Sequence, residues 1–169
     1  MSLFSPTADV SVRPAVPGDE DAVARIQLAA WAATHEEVLT DGVLRLLDTD
    51  RIREQWRAAI ASPPGPGFAV LAACAGAKVV GFAAVAPGQL VALEVLPDHR
   101  RSGHGSRLLT AAVDRLRSEG SQEVVAWVLD GDTGREQFFS GAGMGPDGRT
   151  RTLAAGARHV REARWSATL

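Results

Sequence analysis

The sequence predicts a mixed α/β (α+β) domain built on a central, mostly antiparallel sheet with one parallel pair and helices on both faces. Three observations predict it. The apolar runs FAVLAACA, KVVGFAAVA and LVALEVL follow one another across only GA and PGQ, a spacing that suits an antiparallel meander with tight turns. A helical pattern from Ser102 to Glu119 then separates LVALEVL from another buried strand, EVVAWVL. A helical crossover returns the chain in its original direction, so these two strands are expected to be parallel. Finally, TRTLAA and VREARWSATL read as a terminal hairpin pair.

The remaining elements follow in chain order. VSVRPA alternates and stops at a proline, as a first strand does. Asp19, Glu20 and Asp21 crowd the first turn of PGDEDAVARIQLAAWAA, where negative charge complements a helix N-terminus. Val23, Ile26, Ala30 and Ala33 then recur at helical spacing, with Trp31 near the helix end. DGVLRLLDTDRIREQWRAAI predicts a second helical region in two pieces, because the polar DTD supplies a new N-cap around Asp48 to Asp50. SPPGPG ends it, since proline lacks the amide donor and glycine is too permissive. In the central helix, Leu108, Leu109, Ala112, Val113 and Leu116 share one face, and Gly120 stands where a helix-ending glycine belongs. TGREQFFSGAG predicts a short late helix.

Length and composition bound the function. The 169 residues fit one domain, expected over residues 10–169 behind a loose tail at 1–9. No apolar run approaches the roughly 20 residues that span a bilayer, and the start lacks the pattern of a secretory signal, so a cytoplasmic location is expected. A formal net charge of −2 argues against a nucleic-acid or membrane-surface partner, which asks for a basic face. The single cysteine, Cys74, excludes an internal disulfide and a cysteine-clustered metal site, and its apolar surroundings suit core packing. His99 and His104 have no acidic or cysteine partners at metal-ligand spacing, so no metal is expected.

The stretch with the most chemical content is EVLPDHRRSGHGSRLL, where a strand breaks at Pro97 and a helix begins after Arg100, Arg101, Gly103 and Gly105. Helix N-termini attract anions through unsatisfied amides and the positive end of the macrodipole. Glycine lets the backbone approach phosphate oxygens, and arginine adds charge-assisted hydrogen bonds. The residues therefore point to a pyrophosphate cradle, the alternative being a plain turn with solvated arginines. The segment matches neither GxxxxGK[ST] nor GxGxxG in a first βαβ unit, which weakens kinase-like and dinucleotide readings.

LVALEVLPDHRRSGHGSRLL resembles the most specific segment of the GNAT superfamily of acyl-CoA-dependent N-acetyltransferases: an apolar strand, a proline, then Q/R-x-x-G-x-G/A opening a helix. VSVRPAVPGDEDAVARIQLAAW and REQFFSGAGMGPDG are more weakly similar to the family's opening and late elements. The resemblance implies a GNAT-like sheet with its parallel pair at the cofactor cleft and acetyl-CoA as cosubstrate. Backbone groups of Leu93 and Val95 would pair with pantetheine and the acetyl carbonyl. Arg100, Arg101, Ser102, Gly103, His104, Gly105 and Ser106 would hold the diphosphate. The acceptor, a small-molecule or peptide amine, would enter from the opposite side, near the first two helices.

Acyl transfer to an amine needs a neutral nucleophile, donors for the oxyanion and a proton for the departing thiolate. Glu94, on the strand before the cradle, is a candidate base, directly or through water; the alternative is a carboxylate paired with a nearby arginine. His35 is a second candidate that could equally be a solvated loop histidine. Trp31 is read as lining the acceptor pocket or as core packing. The sequence also departs from the family pattern. It contains no tyrosine, and Phe139 stands where many members carry a late-helix tyrosine acid beside the cofactor. Asp132 replaces a common asparagine just ahead of that helix. A CoA-binding sensor or catalytically weakened scaffold is therefore the rival to an active N-acetyltransferase, with a nucleotide-binding module third. The terminal hairpin could pair between subunits, which favours a homodimer.

Overall fold

The computed structural model describes residues 10–34 and 47–169. The strands are β1 (Val10–Pro14), β2 (Ala69–Ala75), β3 (Lys78–Ala86), β4 (Gln89–Val95), β5 (Glu123–Leu129), β6 (Gly145–Ala155) and β7 (Arg158–Thr168). The described helices are α1 (Glu20–Thr34), α2 (Thr49–Ala61), α3 (His104–Ser118) and α4 (Thr133–Gly141), and a short 3-10 helix covers Pro97–His99. The strands form one seven-stranded sheet in the order β1-β2-β3-β4-β5-β7-β6. All pairings are antiparallel except β4 with β5, as the helical crossover through α3 requires.

One face of the sheet is covered by α1 and α2. Asp19 sets the start of α1: its carboxylate accepts from the Val16 amide at 2.8 Å and is held by Arg13 at 2.7 Å. Val23 and Ile26 then bury against Ala72, Cys74 and Phe82, with Trp56 and Ile60 of α2 packed alongside. Trp56 meets Phe82 edge-on at 5.0 Å between ring centroids, and its indole N–H donates to Gln27 at 2.8 Å, which ties α2 to α1. Asp48 caps α2 by accepting from the Arg51 amide, so DTD does restart a helix. The helical piece expected before it falls mostly on residues 35–46, outside the described residues.

On the other face α3 lays Leu108, Leu109, Ala112 and Leu116 over Leu71, Ala73, Ala83, Val85, Leu93 and Val95. Burying each leucine side chain contributes on the order of 1.5–3 kcal/mol. The helix stops at Gly120, whose φ of +85° takes the left-handed turn that glycine alone adopts cheaply. Its first residue is His104, two later than the pattern implies, because Gly103 takes the N-cap in a left-handed conformation. The C-terminal hairpin is longer than its alternation suggests: β6 begins at Gly145, and its ladder is interrupted between Pro146 and Thr150.

A bulge in β4 decides which way the site faces. Ala84 pairs with Ala92 but Val85 with Leu90, leaving Val91 as the extra residue, 60% exposed. Beyond it Leu93 and Val95 join the core under α3, while Ala92 and Leu96 join the cluster under α1 and α2. Glu94, alternating with Ala92 and Leu96, therefore projects to the α1–α2 face.

Candidate active site

The parallel pair barely forms. The β4–β5 ladder is one register pair, Gln89 with Val125, with the Val125 amide donating to Gly88 O at 3.0 Å; beyond it the strands diverge. β5 keeps full pairing with β7, so the opening lies along the edge of β4. Leu96 N–H donates to Val80 O at 2.8 Å, toward β3. Backbone groups alternate along an antiparallel strand, so the amides and carbonyls of Leu93 and Val95 point the other way, into the opening. Two arginines meet the carbonyls there: Arg135 Nη1 donates to Leu93 O at 2.9 Å and Arg100 Nε to Val95 O at 3.4 Å.

The opening continues into the N-terminus of α3. The chain turns through Pro97–His99, then takes left-handed conformations at Arg101 (φ +61°) and Gly103 (φ +84°). No side chain caps the helix at Gly103, so its first-turn amides are presented as donors beside Arg100 and Arg101. At Gly105 a β-carbon would touch the Phe138 ring at 3.5 Å, an ordinary contact that places α4 against the first turn of α3. The cleft so formed measures about 680 Å³ and runs from Leu93, Glu94 and Val95 past Arg100, Arg101, Gly103, Gly105 and Ser106. Gly131 through Arg135, Gln137 and Phe138 form its opposite wall.

Across this cleft lies an ion-pair network. Arg135 Nη2 contacts both oxygens of Glu94 at 3.0 Å, and Arg135 Nε lies 3.4 Å from Asp132 Oδ2. Asp132 also caps α4, its Oδ1 accepting from the Arg135 amide at 3.1 Å, while the buried Oδ2 has no hydrogen-bond donor. Glu94 is 8% exposed. Burial pushes its carboxyl above the ordinary value, against the pull of Arg135 and Arg100, and Asp132 adds to the rise. Such a carboxyl takes up a proton more readily than a solvated one.

The sequence matches the acetyltransferase (GNAT) family over residues 28–144, well over half of the chain. The chain belongs to the GNAT family. It is 26% identical over 130 residues to the uncharacterized N-acetyltransferase YuaI of Bacillus subtilis, covering 72% of each protein. The fold is similar to that of PaiA N-acetyltransferase from Thermoplasma acidophilum in complex with coenzyme A, with a TM-score of 0.80 and 14% identity over 95% of this chain and 99% of that one. It is also similar to YncA of Salmonella typhimurium with its cofactor acetyl-CoA, with a TM-score of 0.68 and 18% identity over 95% of this chain and 94% of that one.

In this GNAT chain Leu93, Glu94, Val95, Arg100, Arg101, Gly103, Gly105, Ser106 and Asp132 come together at one cleft. Ser102 is exposed on the turn between them. His104 is buried at the start of α3, 3% exposed, with its Nδ1 lacking a hydrogen-bond partner and its ring 6.3 Å from that of His99. Burial, with His99 and Arg107 nearby, lowers its pKa from the ordinary value. Phe139 is sealed in the core against Trp165, and its neighbour Phe138 faces the cleft instead. Trp31 is half-buried on α1, two residues before Ala33, which lines the cleft. His35 lies outside the described residues. Sequence reasoning missed Arg135, because its partners Leu93 and Glu94 stand 42 and 41 residues away. The one signal was its place a single turn after the cap Asp132. Among the described residues, no group of three or more His, Cys, Asp or Glu is placed to hold a metal ion. Nor is any described helix long and apolar enough to cross a membrane.

Proposed function

We propose that the protein transfers an acetyl group from acetyl-CoA to the primary amine of a small molecule, peptide or protein by direct attack. One observation carries this: the outward amides of Leu93 and Val95 share one cleft with the first turn of α3, flanked by Arg100 and Arg101. Pantetheine carries two amide groups whose carbonyls can accept from strand-edge amides, and a diphosphate suits helix N-terminal amides with guanidinium groups. The donor set fits both. The CoA and acetyl-CoA in the complexes of PaiA and YncA support the same ligand class.

Acetyl-CoA supplies the activated acyl group as a thioester. The acceptor amine approaches from the α1–α2 side, toward which Glu94 projects, and Trp31 and His35 belong to that side of the proposal. The Leu93 amide donates to the acyl oxygen as negative charge develops there. As the C–N bond forms and the C–S bond breaks, the amine proton passes to Glu94, directly or through one water, and the sulfur departs as thiolate. A thiol pKa of roughly 8.5 lets that thiolate leave near neutral pH without an acid.

Phe139 favours a second reading. With no tyrosine in the chain and this ring buried, the late helix offers no phenol to the sulfur, as suits a CoA-binding sensor. Calorimetric titration with acetyl-CoA, followed by thiol release across an amine panel, separates the two. Binding with turnover supports the enzyme, binding without turnover on any amine supports the sensor, and no binding overturns both.

A further inference from the structure

We propose that Arg135 is a positioning residue for the acetyl transfer described above: it reaches from α4 across the cleft, fixes the Glu94 carboxylate and ties the Leu93 carbonyl, so that base and cofactor edge keep one geometry. The inference rests on that proposed activity for its meaning but on the structure for its contacts. Arg135 holds both oxygens of Glu94 at 3.0 Å and Leu93 O at 2.9 Å, with its side chain only 20% exposed. Asp132 orients the guanidinium from behind, capping α4 through one oxygen and lying 3.4 Å from Arg135 Nε with the other. A glutamate side chain has three rotatable torsions; a planar guanidinium that holds both carboxylate oxygens through Nη2 and the neighbouring strand carbonyl through Nη1 restricts that freedom as a point charge cannot.

The contacts have a consequence for protonation. Among the described residues, the charged groups around Glu94 are Arg135 of α4, Asp132 at its N-cap and Arg100 from the turn after β4. The cluster under α1 and α2 adds Val23, Ile26 and Trp56, and Phe82 of β3 lies opposite; none of these titrates. Burial favours the neutral acid, and Arg135 is the larger of the two cationic influences opposing it. Arg135 thus keeps Glu94 ionised, able to accept a proton, at a pH where burial alone would leave it protonated.

The test is a carbon-13 NMR titration of the glutamate carboxyls in the wild type, Arg135→Ala and Arg135→Lys, with Glu94→Gln to assign the signal. In Arg135→Ala the Glu94 carboxyl is expected to titrate about one to three pH units above wild type. Arg135→Lys, which keeps the charge but not the fork, should fall between them, and it decides the point if the alanine variant does not fold. Wherever an amine is turned over, the acidic limb of the rate profile moves by the same amount. An unchanged Glu94 titration in both variants overturns the proposal. A wild type that binds no acetyl-CoA overturns the proposed activity instead, and the carboxyl titration still decides whether Arg135 governs Glu94.

Discussion

Gly81 of β3 lies directly against the backbone of Glu94: a β-carbon at position 81 would sit 3.0 Å from Glu94 O and 3.2 Å from both Leu108 Cδ1 and Val95 Cγ2. The close approach seats α3 on the sheet beneath the cleft. Two of the three neighbours are core side chains and one is strand backbone, so relief requires β4 to move. Gly81→Ala is expected to lose about 1–3 kcal/mol in urea unfolding, and Gly81→Val more. Because the displaced strand carries the Leu93 and Val95 amides, acetyl-CoA affinity should fall in Gly81→Ala even where the protein stays folded. Affinity equal to wild type would mean the cofactor edge does not depend on this contact.

Gly103 makes a different demand. Its φ of +84° costs a side-chain-bearing residue roughly 1–2 kcal/mol, whereas the steric clash, with Arg107 Nη1 at 2.7 Å, involves a mobile side-chain end that can swing aside. The penalty therefore falls on the turn that aims the first amides of α3. Gly103→Ala is expected to weaken acetyl-CoA binding by about five- to thirtyfold in titration calorimetry. That loss assumes the turn relaxes in the free protein; a drop in stability by a similar free energy with unchanged affinity would show instead that the turn keeps its shape and carries the strain.

Asp132 tests the structural half of the cleft wall. Its Oδ1 caps α4, so Asp132→Ala is expected to cost about 1 kcal/mol in thermal or urea unfolding. Asp132→Asn keeps a capping oxygen and should cost only a few tenths. If the two variants lose the same stability, the charge beside Arg135 matters more than the cap.

The fold was legible in the sequence because its signals are local. The closely spaced runs from Phe68 to Leu96 dictate a meander, and the helical pattern from Leu108 to Leu116 dictates a crossover, so parallel pairing of β4 and β5 follows from connectivity. The turn that brings Arg100, Gly103 and Gly105 to one cleft was legible for the same reason, since they lie within six residues. What the sequence did not reveal is non-local. The guanidinium on Glu94 comes from a helix 41 residues further on. Position 139 faces the core and position 138 the cleft, which depends on how a nine-residue helix is rotated against Trp165 and Gly105. The inward run of a short helix with two adjacent phenylalanines carries no periodic signal strong enough to choose between them.

His104 makes the last prediction, and its sign follows from linkage. Its pKa in the folded protein lies below the ordinary value of 6.5, chiefly because burial disfavours the imidazolium, with His99 and Arg107 adding repulsion. Between the folded value and 6.5 the unfolded chain binds more protons than the folded one, so this group makes stability rise with pH through that window. Its contribution is complete above 6.5 and is lost as the pH falls toward the folded value. Glu94 acts in the opposite sense: its carboxyl lies above the ordinary 4.5, so stability falls as pH rises from 4.5 toward the folded value. Substitution separates the two contributions. Urea unfolding of wild type and His104→Gln between pH 5 and pH 7.5 should give a stability difference that moves in favour of the wild type as the pH rises. A difference constant across that range would show that His104 titrates alike in the folded and unfolded chain, and that burial at the start of α3 does not keep it neutral.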